Sequence, residues 1–170
     1  AYNHDAGEGV VRVFPGDVAR GLKLFAFGRD FSASSYTDDG STYFEIWGGL
    51  TPTFWDYFHL QPGSSVQWTE TWYPIHKIGG LTYANGNGAL SIQRIGSTSI
   101  SVGIMPVRVL DSVRIMIEVD GRNIYDKSVS VGPDVPFLAS MDVGLDQQVN
   151  ITVSVVDRSG AAILRYNGRS

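Results

Sequence analysis

The sequence predicts an all-β chain in two parts, the second of them a small antiparallel sandwich. Three observations carry this. The composition is dominated by Gly, with 20 residues, and by Tyr, Phe, Trp, Val, Thr and Ser. Short apolar runs recur between Gly, Pro, Asn or Asp turns. No long window keeps the i, i+3, i+4, i+7 apolar repeat of an amphipathic helix.

The elements follow in order. Residues 9–14 (GVVRVF) alternate as a strand, and Pro15-Gly16-Asp17 turns the chain into a second strand, 22–27 (LKLFAF). A loop over 28–36 and the turn Asp38-Asp39-Gly40-Ser41 lead to a third strand, 42–47 (TYFEIW), which Gly48-Gly49 ends. A loop crowded with aromatics, 52–58, precedes the turn Leu60-Gln61-Pro62-Gly63. Residues 65–73 (SVQWTETWY) then read as one long strand that stops at Pro74, which cannot donate to a ladder.

Composition changes beyond Asn87. Trp47, Trp55, Trp68 and Trp72, all of the tryptophans, lie before it. After it, strands are expected at 89–95, 98–105, 112–119, 123–131, 137–143, 149–156 and 161–166. Asp120-Gly121 and Arg158-Ser159-Gly160 are turn signals between them. Strands this short and this regularly spaced suggest a small antiparallel sandwich. The expected parts are 1–88 and 89–170, with the boundary inside 86–90.

Bulk properties narrow the function. Hydrophobic residues make up 43%, enough for a real core, and charged residues 18%, with a formal net charge of -4. That balance has no basic footprint for nucleic acid, and no apolar stretch is long enough for a membrane helix. With no cysteine, disulfides, thiolate metal sites and cysteine nucleophiles are excluded, and the compartment stays undetermined. The chain opens on Ala1 and runs straight into patterned sequence. It therefore reads as a piece of a longer protein whose targeting signal would lie upstream.

The informative segment is 43–74. Alternation in a strand puts Tyr43, Glu45 and Trp47 on one face and Phe44 and Ile46 on the other. A carboxylate between aromatics suits a sugar, since the carboxylate accepts from hydroxyls and a ring packs on the apolar face of a pyranose. Trp68, Glu70 and Trp72 repeat the pattern. The plainer alternative also stands: a Glu at the solvated rim of a sheet, with tryptophans serving as packing.

Tyr43-Phe44-Glu45-Ile46-Trp47, then Leu60-Gln61-Pro62-Gly63, then Trp68-Thr69-Glu70-Thr71-Trp72-Tyr73-Pro74 together resemble the closing strands of the galactose mutarotase (aldose 1-epimerase) superfamily. With Gly79-Gly80-Leu81-Thr82 and Ala84-Asn85 added, the series looks closer still to a bacterial mutarotase-like family of unknown function, often attached to tetratricopeptide repeats. The resemblance covers about residues 2–92 and implies the C-terminal part of a mutarotase-like β-supersandwich. It implies that Glu45 occupies the place of the general base. It also sets Asn3, in Tyr2-Asn3-His4, at the place of a sugar-binding Asp, a departure from the family pattern. The family's catalytic His, and the Arg and His that grip other hydroxyls, lie upstream of this stretch, and hemiacetal opening needs an acid as well as a base.

The expected site is Glu45 as candidate base, with Asn3, Trp47, Trp55, Trp72 and His76 as sugar-binding candidates; no metal and no cofactor are expected. Asp38-Asp39-Gly40 reads as a plain turn, and His59 as a loop residue beside the aromatics. No Gly-x-Ser-x-Gly is present. The glycines of 84–88 lack the helix that a phosphate cradle needs. Asn150-Ile151-Thr152 matches a glycosylation sequon inside an expected strand. Residues 89–170 carry no chemical motif and resemble immunoglobulin- or fibronectin-like tails, which implies a mechanical or adhesive role.

The expected function is a carbohydrate-binding fragment of a larger mutarotase-like protein, catalytically incomplete as it stands. The alternatives are a structural or interaction module without a ligand, and an epimerase-type isomerase in the full-length protein. Expected partners are a saccharide, upstream domains of the same polypeptide, and a second copy through an exposed sheet; nucleic acid and membrane are not among them. An incomplete first sandwich would expose an apolar face. The C-terminal sandwich or self-association would be expected to cover it.

Overall fold

A computed structural model describes residues 1–26, 32–41, 43–144 and 148–169. Among these the chain is all-β, with thirteen strands, one 3-10 turn (Ala33–Ser35) and no α-helix. In chain order the first strands are β1 (Tyr2–Asn3), β2 (Glu8–Val13), β3 (Lys23–Ala26), β4 (Phe44–Trp47), β5 (Thr71–His76) and β6 (Tyr83–Asn85). They are followed by β7 (Gly88–Ile95), β8 (Ser99–Pro106), β9 (Leu110–Val119) and β10 (Arg122–Val131). The last three are β11 (Phe137–Asp142), β12 (Asn150–Val156) and β13 (Ala162–Arg169). Contacts divide the chain into two compact units: Ala1–Val13 with Thr71–Ser170, and Phe14–Glu70.

The larger unit is a β-sandwich carrying a third sheet. One four-stranded antiparallel sheet has the order β10-β9-β12-β13 and the other β11-β8-β7-β6. Alternation decides their faces. In β9, Val113, Ile115, Ile117 and Val119 are buried while Arg114 and Glu118 are exposed. Ile151, Val153 and Val155 of β12 point the same way and meet Leu90, Ile100, Val102 and Ile104 of the opposing sheet in one core. Each such side chain contributes about 1.5–3 kcal/mol by leaving water. Asp120 and Gly121, both at positive φ (47° and 76°), make the tight turn between β9 and β10.

Both faces of β7 and β8 are buried because β1, β2 and β5 form a further sheet in the order β1-β2-β5. Val11, Tyr73 and Ile75, with Ile78 just beyond β5, pack on Ala89 and Met105 in a second core. The layers can meet because the contact is nearly bare of side chains. A Cβ placed on Gly103 would stand 2.8 Å from Ile78 Cα and Cβ and closer still to its carbonyl oxygen.

Two polar contacts tie this unit together. Tyr73 Oη lies 2.7 Å from the Gly88 carbonyl oxygen and 2.8 Å from that of Asn85, so its proton holds the β6–β7 hairpin. At the β12–β13 ladder the register shifts between Val155 and Val156, which leaves Ile163 of β13 as the extra residue of a bulge. Asn85 Nδ2 donates to the Ile163 carbonyl at 3.0 Å, joining one sheet to the other where the bulge frees an acceptor.

Several sequence expectations are revised by pairing. The strand expected at 65–73 is instead β5 at 71–76, and it runs through Pro74, which lies opposite Val10. β5 is the edge of its sheet, so the missing N–H of proline can face the unpaired side. β1 and β6 were too short to show a period. The division expected between 88 and 89 falls at the start of β7, whose ladder joins β6 on one side and β8 on the other. Phe27, the loop positions 28–31 and Thr42 lie outside the described residues.

The smaller unit holds the hairpin-like pair β3–β4, in register from Lys23↔Trp47 to Ala26↔Phe44. Its one buried apolar residue among those described is Ala19. Asp39 serves a turn, its Oδ1 accepting from Ser41 N at 2.9 Å, with Gly40 at φ 71°.

Two outcomes follow. Gly103→Ala should destabilise the sandwich by about 1–3 kcal/mol, read as a lowered urea midpoint, because backbone rather than a pliable side chain must yield. Burial, with a smaller push from Tyr83, raises the Tyr73 phenol to about 12. The unfolded phenol ionises near pH 10, so the unfolded chain sheds its proton first and stability falls as pH rises from about 10 to 12. The loss should be on the order of 2 kcal/mol, and denaturation of Tyr73→Phe should lack that alkaline component.

Candidate functional site

The pairing of β3 with β4 sets one face of that ribbon. Lys23 stands opposite Trp47 and Phe25 opposite Glu45, two rungs of the same parity, so all four project to one side. Gly48 and Gly49 follow directly and release the chain into the loop that returns as Phe54.

Glu45 is half-buried, and its Oε1 accepts a hydrogen bond from the Tyr43 hydroxyl. The Tyr43 ring stacks on Tyr36, interplanar angle 1° and centroids 5.6 Å apart, and Phe25 leans on both at 5.3 and 6.3 Å. One side of the carboxylate is thus walled by three rings that hold each other. On the other side Phe54 meets Trp47 edge-on, centroids 5.5 Å apart and planes at 81°. The Lys23 ammonium sits 5.1 Å from the Phe54 centroid and donates to the Thr51 carbonyl at 3.0 Å. The face therefore combines a carboxylate, an ammonium and exposed aromatic surface. A carboxylate accepts from up to four directions, so the bond from Tyr43 leaves it capacity for ligand hydroxyls.

The Glu45–Tyr43 bond is also felt by the phenol. The bond to Glu45 holds the Tyr43 proton above the ordinary tyrosine value, helped by lost solvation and by the charge of the carboxylate. The similar pattern at Trp68 and Glu70 closes on itself: Trp68 Nε1 donates to Glu70 Oε1 at 2.8 Å.

The sequence-derived site residues divide between the units. Glu45, Trp47 and Trp55 belong to the smaller one, and Asn3, Trp72 and His76 to the larger. Glu45 and Trp47 share the face just described, while Trp55 stands on the loop beyond Phe54, 86% exposed. In the larger unit Asn3, Glu8 and His76 fall on one rung across β1, β2 and β5. Asn3 Oδ1 there accepts from the backbone of Asp5 (3.0 Å) and Ala6 (3.2 Å), a turn-forming role. Trp72 pairs with Arg12 in register, the guanidinium carbon 5.1 Å from the ring centroid. Sequence reasoning passed over Lys23, Phe25, Tyr36 and Phe54. The alternation of LKLFAF carried a signal for the first two, and only tertiary contact could supply the others.

The fold and site define an all-β chain with a β-sandwich in its larger unit and an aromatic, carboxylate-bearing face in its smaller one. A family model described as YphG-like protein, second domain, matches residues 83–166, which span from β6 into β13. The match lies within the sandwich and does not reach Glu45. No curated protein and no solved structure matches the chain.

Resonances of the tyrosine Cζ carbons, followed against pH, should show Tyr43 titrating above the ordinary phenol value of about 10. Glu45→Gln should bring it down. An unchanged Tyr43 titration in that variant would mean that the carboxylate does not hold the proton.

Proposed function

We propose that the chain is a carbohydrate-binding piece of a larger mutarotase-like protein, with the sugar held on the β3–β4 face of the smaller unit. The observation that carries this reading is the placement of Glu45 between two aromatic groups, Tyr43 with its hydroxyl bond on one side and Trp47 with Phe54 on the other. Rings take the C–H face of a pyranose, while the carboxylate and the Lys23 ammonium take hydroxyls. The resemblance of 2–92 to mutarotases supports the same reading and would make Glu45 a base. A base alone does not open a hemiacetal, so binding and not turnover is the activity assigned.

The sandwich is read as immunoglobulin- or fibronectin-like. Support comes from its strand order, in which β8 crosses to β9, β10 returns to β11, and β11 crosses again to β12. Its role would be to present the sugar-contacting unit. A second reading, an interaction module whose aromatics meet another protein, is favoured by the scarcity of buried apolar residues in Phe14–Glu70.

Titration of the full chain against a broad panel of neutral sugars should find at least one ligand. Glu45→Ala should weaken it about tenfold or more, about 1.4 kcal/mol. A panel with no ligand, or a ligand indifferent to Glu45→Ala, would remove the reading in favour of the interaction module.

A further inference from the structure

The aromatic surface does not end at Trp47 and Phe54. Phe54 packs on Trp47 and Lys23 of the Glu45 face and lies in the loop 51–58, whose next residues are exposed. Trp55 is 86% exposed and Tyr57 99% exposed. Such rings usually bury 150–250 Å² each, so about as much apolar area as a stacked ligand could cover is left in water here.

Their exposure is built. Asp56 Oδ2 accepts from both the backbone N–H (2.9 Å) and the hydroxyl (2.8 Å) of Thr53, and the Thr53 hydroxyl takes the Trp55 N–H at 3.2 Å. Thr51 Oγ1 donates to the Thr53 carbonyl at 3.0 Å, and Lys23 holds the Thr51 carbonyl from β3. The loop is thereby fixed to the strand that carries the site, with two rings turned outward beside a carboxylate.

Charge narrows what these rings can meet. Residues 14–70 contain seven carboxylates against three cations, and the remainder of the chain ten of each, so the whole formal charge of -4 lies in the smaller unit. That field repels anionic polymers, anionic lipid surfaces and uronate-rich glycans, and a second copy would bring the same negative unit against it. A neutral chain of sugars meets no such barrier and needs what the loop offers, flat apolar rings with a hydroxyl acceptor between them.

Resting on the sugar-binding reading above, we propose that the ligand is a neutral oligosaccharide or polysaccharide, one unit at Glu45 and the next units stacked along the loop on Trp55 and Tyr57. Binding energy should then grow with chain length until the loop is covered.

The test uses the full chain and calorimetric titration with neutral gluco-, manno- and galacto-configured oligosaccharides, from a single sugar to a hexasaccharide. In the responsive series affinity should rise about tenfold or more with length. The double variant Trp55→Ser, Tyr57→Ser should lose that rise while keeping the unfolding midpoint of the parent. Equal affinity at every length would overturn the inference and leave the sugar reading standing. So would a rise that survives the double variant, or a change in sedimentation showing that the rings seat a second copy. Tighter binding of uronate-containing chains would overturn it also. If no saccharide of any length binds, the sugar reading falls and takes the inference with it.

Discussion

The third sheet of the larger unit depends on a bare spot in the sheet beneath it. At Gly103 there is no side chain, and at Ala89 only a methyl, so the segment that ends in Ile78 lies directly on β7 and β8. A fully packed outer face would have held β5 a side chain's thickness away. Tyr73 would then fall short of the Asn85 and Gly88 carbonyls, and the β6–β7 hairpin would lose its tether. That hairpin positions Asn85, which reaches the carbonyl freed by the Ile163 bulge. Close backbone approach, a phenol bridge and an amide bridge therefore form one sequence of dependencies running through all three sheets.

The smaller unit is organised by a different force. Its described residues bury almost no aliphatic core, and order comes from ring–ring contacts, an ammonium lodged on carbonyls, and side chains that staple their own loop. Such contacts fix geometry at modest energy, and they leave apolar surface in water. In a unit of this construction, whatever stacks on the exposed rings also shelters them from water.

Much of this was legible from the chain. Strict alternation in 112–119 and 149–156, and the Asp120-Gly121 turn, announced the sandwich because β-branched residues on one face can be read without knowing their partners. The shared face of Tyr43, Glu45 and Trp47 was legible for the same reason. What escaped was decided between distant residues. Pro74 looked like a strand stop, and only its position on a sheet edge beside Val10 made it harmless. Tyr36 and Phe54 joined the site through contacts that no local period encodes. Asn85 gave no sign of joining two sheets, since its partner is a bulge almost eighty residues away. Asn3 and His76 met on a rung with Glu8 that the sequence could not have aligned.

Val13 and Thr71 face each other across the β2–β5 ladder, so the chain leaves the larger unit and re-enters it at a single point. In topological terms the smaller unit is a guest seated in a hairpin turn of its host. Replacing the guest with a two-residue turn would shorten the closed loop enough to save on the order of 3 kcal/mol of closure entropy, without breaking a ladder bond. Two histories are then open to one architecture. A host sandwich can gain, lose or exchange its guest without refolding, and a guest can change its sequence while the host keeps its own under a separate constraint.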